Sequence, residues 1–226
     1  MINPIPYIYI SGCIFCGKKL NAGDRVCREC IESLPLITGE ICTRCGLETV
    51  NCNCKVGDFA FESNVAPYRY DGSVKSIVKR MKFSKLPQLL KPMFDDMLAT
   101  FRRRYDLISF DAVTYVPADT LSRLERGFDQ SEELAHKFSQ SLGIPMRKTL
   151  EKKYGTRPQK AMKTLNQRRG NVRGKFKAIS DVKGLTLLLV DDVATTGSTL
   201  SECAKTLRRA GAKQVFCITY AITCKK

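Results

Sequence analysis

The chain has 226 residues and a mass of 25.4 kDa, enough for one ordinary domain and a small module. Hydrophobic residues make up 43% and charged residues 27%, a balance that permits a packed core and excludes a fully disordered chain. The 38 Lys and Arg outnumber the 22 Asp and Glu, so the formal net charge is +16. The one histidine, His136, excludes every site that needs two, such as the H-E-x-x-H zinc motif.

The composition divides the chain near residue 60. Eight of the eleven cysteines lie between Cys13 and Cys54. Residues 1–62 carry 6 basic and 7 acidic side chains, whereas residues 63–226 carry the remaining 32 and 15. We therefore expect a cysteine-rich module over residues 1–60 and a basic domain over residues 61–226. No secretory signal and no apolar run long enough for a membrane span is visible, so we expect a cytoplasmic protein without membrane insertion.

The cysteines of the N-terminal module form two groups of four. Because cytoplasmic thiols stay reduced, paired cysteines indicate a metal rather than disulfides. Two C-x2-C turns supply the four thiolates that a structural zinc prefers. The tighter Cys52-x-Cys54 spacing leaves open whether the chain binds one zinc or two, and an iron–sulfur cluster or redox thiols are the alternatives. The first group is Cys13, Cys16, Cys27 and Cys30, and the second is Cys42, Cys45, Cys52 and Cys54.

Hydrophobic periodicity in the basic domain predicts strands that alternate with helices. Such alternation favours a parallel α/β sheet with helices on both faces. Gly143 and Gly211 are suitable stops for two of the helices. The predicted strands are residues 65–70, 111–117, 185–190 and 215–222, and the predicted helices are residues 74–81, 89–101, 129–142 and 196–210.

The segment LLLVDDVATTGST, residues 187–199, carries the chemistry. A buried strand is predicted to end in Asp191 and Asp192, and a short turn then leads into a helix whose first N–H groups and positive dipole end favour a phosphate. The two carboxylates are suited to accept hydrogen bonds from vicinal sugar hydroxyls. A ligand with a diol on one side and a phosphate on the other is ribose 5-phosphate. An ordinary capped turn would explain residues 195–199, but not two adjacent carboxylates.

This segment resembles the signature of type I phosphoribosyltransferases for 5-phosphoribosyl 1-pyrophosphate (PRPP). The resemblance implies that Asp191 and Asp192 bind the ribose hydroxyls and that Mg²⁺ joins pyrophosphate and ribose oxygens. It implies a ribosyl oxocarbenium ion as pyrophosphate leaves, which needs electrostatic stabilisation more than a general base. It further implies that five residues surround the 5-phosphate, namely Thr195, Thr196, Gly197, Ser198 and Thr199.

Further motifs make nearly the whole chain, from about Cys13 to Ala221, similar to the ComF/GntX family. They are the cysteine groups, Met81-Lys82-Phe83, Val116-Pro117, Arg126-Gly127-Phe128-Asp129-Gln130 and Arg168-x2-Asn171 with Phe176. The family usually has Asn where this chain has Asp129. The resemblance implies DNA uptake in natural competence beside an ATP-driven DNA translocase. By position, it also makes Arg126 and Lys82 candidate phosphate contacts.

Residues 147–177 contain 12 Lys or Arg and one acid, Glu151. Gly155 and Pro158 predict a mobile loop that covers the site, as in type I phosphoribosyltransferases. The same charge suits the backbone of single-stranded DNA, with Tyr154 and Phe176 available for base stacking. A solvated basic surface is the plain alternative. The nucleic-acid candidates are Lys152, Lys153, Arg168 and Arg169.

The sequence is compatible with three alternative functions. The first is a phosphoribosyltransferase-like protein that binds Mg–PRPP and handles single-stranded DNA during competence, with an unknown phosphoribosyl acceptor. The second is a nucleobase-salvage phosphoribosyltransferase, although base salvage has no evident need for the cysteine module. The third is a non-catalytic protein that senses PRPP or binds DNA.

Overall fold

A computed structural model of the protein describes residues 12–21, 24–55, 57, 59–83, 89–118, 127–153 and 174–224. The cysteine-rich module contains one short helix, α1, and a 3-10 turn at Thr49–Asn51. Strands and longer helices follow in the basic domain. In chain order the elements are α1 (Arg28–Glu32), β1 (Asn64–Val65), β2 (Tyr68–Arg69), α2 (Gly72–Phe83), α3 (Leu90–Tyr105), β3 (Ala112–Tyr115), α4 (Gln130–Leu142), β4 (Leu150–Lys152), β5 (Phe176–Ala178), β6 (Thr186–Ala194), α5 (Ser198–Arg209) and β7 (Gln214–Ile222).

The main sheet is parallel, as predicted. Its order is β3, β6, β7, and both β1 and β2 pair with the outer edge of β7. Asn64 lies opposite Cys217, and Tyr68 lies opposite Ala221. The single strand predicted over residues 65–70 is therefore two short ones. Pro67 lies at the interruption, because a proline has no N–H to donate to a strand ladder.

Strand β6 lies at the centre of the sheet and is longer than predicted. Residues 187–190 are fully buried, as expected of a parallel strand covered on both faces. The strand predicted over residues 185–190, with Asp191 and Asp192 at its end, continues to Ala194, because Asp191 pairs with Thr219 and Val193 pairs with Ala221. The two carboxylates therefore belong to the last part of the strand, and the turn begins only at Thr195.

Two hydrophobic cores lie on the two faces of the sheet. Helices α2, α3 and α4 cover the first core with buried residues such as Ile77, Met93 and Phe138. Helix α5 covers the second core with Leu200 and Leu207. The two-stranded antiparallel sheet of β4 and β5 also joins the second core. This arrangement of helices on both faces is the predicted fold class.

The helix predictions are confirmed in their positions. In α3 the buried residues recur at helical spacing, and Pro92 lies in the first turn, where its missing N–H costs nothing. Helix α4 begins after Asp129 and ends at Gly143, which has a φ of +66°. Pro87 lies outside the described residues. Within the described part of the chain, no helix combines the length and hydropathy needed to cross a membrane.

The first cysteine group, which we call the first knuckle (Cys13, Cys16, Cys27, Cys30), packs against the first core. Cys13 and Phe15 are buried there, and the Phe15 ring meets the Tyr68 ring edge-on at 6.4 Å between centroids. The Arg80 guanidinium on α2 donates hydrogen bonds to the carbonyl oxygens of Cys13 and Ile14, at 2.9 and 2.8 Å. The first knuckle is thus attached to α2 through its backbone.

The second knuckle (Cys42, Cys45, Cys52, Cys54) packs on the opposite face. Leu47 is buried in the second core, and the Asn64 N–H of β1 donates to the Arg44 carbonyl at 2.8 Å. Arg69 of β2 pairs with the carboxylate of Glu48. The two knuckles therefore contact different faces of one sheet. The domain boundary at residue 60 stays a prediction.

Gly46 offers a test of how closely the second knuckle packs against the sheet. Its φ is +81°, and an added Cβ would lie 2.3 Å from the Asn64 carbonyl oxygen. Gly39 has a similar φ of +76° but no atom within 4 Å of such a Cβ. We expect Gly39→Ala to lower the free energy of unfolding by about 1–2 kcal/mol for backbone strain alone. We expect Gly46→Ala to cost a further 1–3 kcal/mol or so for overpacking. Urea titration of both variants measures the two losses of unfolding free energy. Equal losses would contradict the close contact between Gly46 and the Asn64 carbonyl oxygen.

Candidate functional site

The four thiols of the first knuckle come together as a metal site requires. Their Sγ atoms all lie within 4.8 Å of one another, and Cys16 Sγ is 3.7 Å from Cys27 Sγ. A tetrahedral zinc with Zn–S bonds of about 2.3 Å places its sulfurs about 3.8 Å apart. Backbone N–H groups support the sulfurs, since Cys27 N donates to Cys13 Sγ and Lys18 N donates to Cys16 Sγ, both at 3.4 Å.

The second knuckle also assembles, despite its unusual C-x-C spacing. Cys42 Sγ is 3.5 Å from Cys54 Sγ, and Cys45 Sγ is 3.5 Å from Cys52 Sγ. The adjacent pair, Cys52 and Cys54, is 3.1 Å apart. The 3-10 turn at Thr49–Asn51 leads directly into Cys52, so the chain curls tightly enough for both thiols to face the site. The sequence left open whether a second four-thiolate site exists, and the structure brings its four sulfurs together.

The thiol electrostatics favour a bound cation in both knuckles. Burial raises the pKa of Cys13, but backbone N–H groups at Cys16 and Cys27 outweigh it and lower the pKa to about 6. Burial likewise opposes the N–H groups around Cys42, whose pKa still falls to about 7. The pKa values of Cys30 and Cys45 rise, through burial first and then through neighbouring thiols. A positive ion would be needed to hold all four sulfurs of a knuckle as thiolates, and zinc is the structural metal that a four-cysteine donor set prefers.

The paired carboxylates lie at the carboxyl end of β6. Asp191 is partly exposed and Asp192 is 8% exposed. The Ser131 hydroxyl, in the first turn of α4, donates to Asp191 Oδ1 at 2.8 Å, and the Asp192 N–H donates to the same oxygen at 2.9 Å. Ser131 fixes the rotamer of Asp191 from sixty residues away. No sequence pattern singled out Ser131, because the contact is made only by the packing of α4 on the sheet.

Residues 195–197 connect β6 to α5, and Ser198 and Thr199 are the first two residues of α5; we call residues 195–199 together the 195–199 turn. Gly197 precedes the first residue of α5 with a φ of +70°, and the Ser198 N–H donates to Thr196 Oγ1 at 3.3 Å. The Thr196 hydroxyl also bonds the Ser198 hydroxyl at 2.7 Å. The 195–199 turn therefore concentrates hydroxyls at the positive end of a helix dipole.

The ring of Phe59 lies against this turn. An added Cβ on Gly197 would meet Phe59 Cε1 at 2.7 Å, so both the backbone angle and the close ring favour glycine. Phe59 is stacked on Phe61, with centroids 4.8 Å apart. The next residue, Ala60, donates its N–H to Ser201 Oγ on α5 at 3.1 Å. The segment that follows the second knuckle thus supports the turn directly.

Asp129 connects the start of α4 to the end of β3. Its carboxylate accepts from the N–H groups of Ser131 and Glu132, at 3.0 and 3.3 Å, which caps the helix. It also accepts from the Ala118 N–H at 2.8 Å. Burial raises the pKa of Asp129, and these N–H groups oppose that rise. Both bonding roles need an oxygen acceptor, so the carboxylate serves where the ComF/GntX pattern has an amide.

The remaining predicted site residues are either outside the described part of the chain or on the strands of the basic segment. Arg126, Arg168 and Arg169 lie outside the described residues. Lys82 belongs to the last turn of α2, and its side chain lies outside the described part. Lys152 ends β4 and Lys153 follows it.

The ends of the basic segment form a paired structure that we call the basic ribbon, β4 and β5 with Lys152, Lys153, Lys175 and Lys177. Glu151 lies opposite Lys177, and Lys153 N donates to Lys175 O at 2.8 Å. Phe176 is 5% exposed in the second core, so the prediction that it is available for base stacking was wrong. Its alternation with Lys175 and Lys177 is typical of a strand with one buried face.

Two family models match the chain. The double zinc ribbon domain matches residues 5–58, and the phosphoribosyl transferase domain matches residues 128–226. Three similar proteins are each 28% identical to it. Competence protein ComFC of Bacillus subtilis matches over 85% of this chain and 81% of its own length. Competence protein F of Haemophilus influenzae matches over 90% and 93%, and DNA utilization protein YhgH of Salmonella typhimurium over 79% and 83%.

Over most of its length the chain is similar to ComF-type proteins. It joins a double zinc ribbon to a phosphoribosyl transferase domain, as the resemblance implied. Both cysteine quartets of the part that matches the double zinc ribbon have the geometry for structural zinc. The carboxylates, the 195–199 turn and α5 all belong to the part that matches the phosphoribosyl transferase domain.

The zinc content of the purified chain tests the two knuckles separately. We expect two zinc ions per chain by plasma mass spectrometry, because each quartet offers a complete ligand set. Cys16→Ser should remove about one equivalent from the first knuckle, and Cys54→Ser about one from the second. Cys224→Ser, outside both quartets, is the matched control and should keep both ions. A wild-type chain with no zinc would contradict the assignment.

Proposed function

We propose that the chain binds Mg–PRPP, or a related ribose 5-phosphate group, at the carboxyl end of β6, and that it acts in the handling of single-stranded DNA during natural competence. The observation that carries the first part is the succession of Asp191, Asp192 and the 195–199 turn at the end of the central strand. Ligands of open α/β sheets bind beyond the carboxyl ends of the strands, which is where these groups lie.

The turn supplies the phosphate half of the proposed site. Thr195 is exposed, and Ser198 and Thr199 are partly exposed, so these three residues are accessible to a ligand. Gly197 gives α5 no side-chain cap, and the first N–H groups of a helix suit a phosphate. The helix dipole favours the negative charge of a phosphomonoester there.

The carboxylates supply the ribose half. Ionised carboxylates only accept hydrogen bonds, so Asp191 and Asp192 select a neighbour that donates, such as a vicinal diol. Ser131 holds one of them in a fixed orientation. Ordering the acceptor before the ligand arrives reduces the entropic cost of binding.

The pyrophosphate of PRPP would lie near the loop that follows β3. Asp129 fixes the start of this loop at Ala118. Arg126 and Lys82 are the proposed cationic contacts with the leaving group. Carboxylate and phosphate oxygens are the hard ligands that Mg²⁺ prefers, and the ion would neutralise charge that develops as pyrophosphate departs.

The DNA part of the proposal is supported by charge and by the similar proteins. Two of these are named competence proteins and one a DNA utilization protein. The basic ribbon carries four lysines beside one acid, on a scaffold that packs on α5. We propose that it contacts the DNA backbone together with Arg168 and Arg169. The resemblance also makes an ATP-driven DNA translocase the proposed partner, and the reduced cysteine ligands make the cytoplasm the proposed compartment.

Thermal unfolding with Mg²⁺ and PRPP tests the phosphoribosyl site. PRPP at about 100 times its dissociation constant should add about 2.7 kcal/mol to the stability of the wild type. The Asp191→Asn/Asp192→Asn double variant keeps the side-chain volumes but removes the charge, so we expect the shift to disappear. Equal shifts in both proteins would contradict the assignment of the carboxylates. Pyrophosphate released when acceptors are added would mark a transferase, whereas binding alone would mark a PRPP sensor.

Salt-dependent binding of a labelled single-stranded oligonucleotide tests the DNA interface. Neutralising Lys152, Lys153, Arg168 and Arg169 by substitution with Gln should reduce the slope of log K against log salt by about 2–3, since each phosphate contact contributes about 0.7. The matched control neutralises four exposed cations of α2 and α3, which are Lys75, Lys79, Lys91 and Arg104. Equal effects of the two quadruple variants would show that net charge, and not the basic ribbon, drives binding.

A further inference from the structure

The segment between the second knuckle and β1 connects the zinc site to the 195–199 turn. Phe59 lies five positions after Cys54, the last cysteine of the knuckle, and its ring lies against Gly197. We infer that Phe59 is a positioning residue for the 195–199 turn, and that zinc in the second knuckle sets where Phe59 lies. Retention of the second zinc and binding of PRPP at the turn then strengthen each other. The inference rests on the proposed function in one respect, because it takes PRPP as the ligand of the turn.

The Phe59 ring fills the space beside Gly197. A Cβ on Gly197 would lie 2.7 Å from Cε1 of the ring, 3.3 Å from Cζ and 3.4 Å from Cδ1, so one edge of the ring faces this glycine. Gly197 has a φ of +70° and directly precedes α5. The ring therefore restricts the residue from which α5 begins, and with it the first N–H groups of the helix, which the proposed phosphate contacts.

The segment that carries Phe59 is held along α5 and β7. The Ala60 N–H donates to the Ser201 hydroxyl at 3.1 Å, and Arg208 donates to the Glu62 carboxylate at 3.3 Å. The Glu62 N–H donates to the Val215 carbonyl at 2.8 Å. Ser201 belongs to the first turn of α5, so the segment contacts the helix at the end that faces the proposed phosphate.

The orientation of the Phe59 ring depends on its neighbours on both sides. The ring stacks on Phe61, with centroids 4.8 Å apart and an angle of 15° between the planes. Phe61 is buried in the second core, whereas Phe59 is partly exposed, so the stack fixes one face of Phe59. On the other side, five residues lead back to Cys54 and span at most about 18 Å when fully extended. The position of Cys54 therefore limits where Phe59 can lie.

Zinc in the second knuckle would fix the position of Cys54. The four sulfurs of the knuckle lie within 4.8 Å of one another, and Cys54 Sγ is 3.5 Å from Cys42 Sγ. A metal that binds all four sulfurs holds these loops together, and its loss removes that restraint from a module with little core of its own. The first knuckle offers no such path to the turn, because it packs against α2 on the opposite face of the sheet.

The coupling has a reciprocal consequence. If zinc in the second knuckle favours the turn conformation that binds PRPP, bound PRPP raises the affinity of that knuckle for zinc by the same factor. Couplings between two sites commonly amount to about 5- to 150-fold, and we expect about five- to tenfold for one that depends on a single ring.

Electrostatic repulsion opposes this coupling. A zinc held by four thiolates carries a net charge of about −2, which repels a nearby phosphate. At an ionic strength of about 0.15 M the screening length is about 8 Å, so the repulsion between accessible charges is weakened. The measurements are therefore made at this ionic strength, and their sign shows whether positioning or repulsion dominates.

Equilibrium competition with a colorimetric zinc chelator, with and without saturating Mg–PRPP, measures the coupling. In the wild type we expect PRPP to raise the affinity of one of the two zinc ions about five- to tenfold. Cys16→Ser, which keeps the second zinc, should show the same increase. Cys54→Ser, which keeps the first zinc, is the matched control and should show none. The control also corrects for zinc bound by PRPP itself.

Substitution of the ring distinguishes positioning from general stability. Phe59→Leu keeps an apolar side chain but removes the ring, so we expect PRPP affinity to fall about five- to tenfold and PRPP to lose its effect on zinc affinity. Phe15→Leu is the matched control, because Phe15 is the buried ring of the first knuckle and packs on Tyr68. We expect this control to keep the coupling factor, even where it lowers the free energy of unfolding more than Phe59→Leu does.

A tryptophan at position 59 reports the attachment without PRPP. The chain contains no tryptophan, so Phe59→Trp gives a single emission that reports the surroundings of this ring. We expect the emission to shift to longer wavelength when Cys54→Ser is added, because the ring leaves the turn for solvent. Addition of Cys16→Ser should leave the emission unchanged.

The results separate this inference from the proposed function. If PRPP stabilises the wild type but leaves both zinc affinities unchanged or lowers one, the inference is overturned and the proposed function stands. Equal coupling factors in Phe59→Leu and Phe15→Leu would also overturn it. If PRPP does not bind the wild type, the proposed phosphoribosyl site falls. An emission shift specific to Cys54→Ser would then still support the attachment of Phe59 to the second knuckle, and equal emission in both cysteine variants would overturn that attachment as well.

Discussion

The pairing of β6 on both edges is the constraint on which the rest of this structure depends. β3 lies on one side and β7 on the other, and four consecutive residues of β6 are fully buried. A strand fixed in this way cannot shift its register without exposing its hydrophobic side chains. The carboxylates at its end and the turn beyond them are therefore held at a defined edge of the sheet. Ser131 and Asp129 then fix the neighbouring loop and helix relative to that edge.

The zinc ribbon is part of the same architecture and not an appendage. Its two knuckles have similar turns, since Gly17 N donates to Cys13 O and Gly46 N donates to Cys42 O. Their surroundings differ, because one packs against α2 and the other lies beside the 195–199 turn. A module of this size cannot build a large core of its own, so metal and sheet together supply its stability. The second knuckle can influence the site by contact, whereas the first can act only through the core.

The sequence predicted the elements that depend on local periodicity, and it failed where partners are distant. Helix α3 follows directly from its apolar spacing. The true end of β6 does not follow from the sequence, because a hydropathy pattern does not show that Val193 pairs with Ala221. Phe176 was misplaced although Lys175 and Lys177 flank it in a readable alternation. The Ser131 contact with Asp191 depends on how α4 packs and has no signal in the sequence.

The candidate site likewise contains residues that are adjacent in the sequence, which could be predicted, and residues that are distant, which could not. Asp191, Asp192 and the turn were recognisable because they are contiguous, so the proposed contacts with a diol and a phosphate involve neighbouring residues. A cavity between the second knuckle and the 195–199 turn was not predictable, because four separate stretches line it, represented by Asn53, Phe61, Gly197 and Thr223. Gly197 is the residue at which the 195–199 turn meets the segment that follows the second knuckle. Its positive φ turns the chain into α5, and its missing Cβ admits the Phe59 ring that follows the second knuckle. A side chain at this position would strain the turn and displace the ring together. The glycine of the motif is thus also the point at which the segment that follows the zinc ribbon contacts the 195–199 turn.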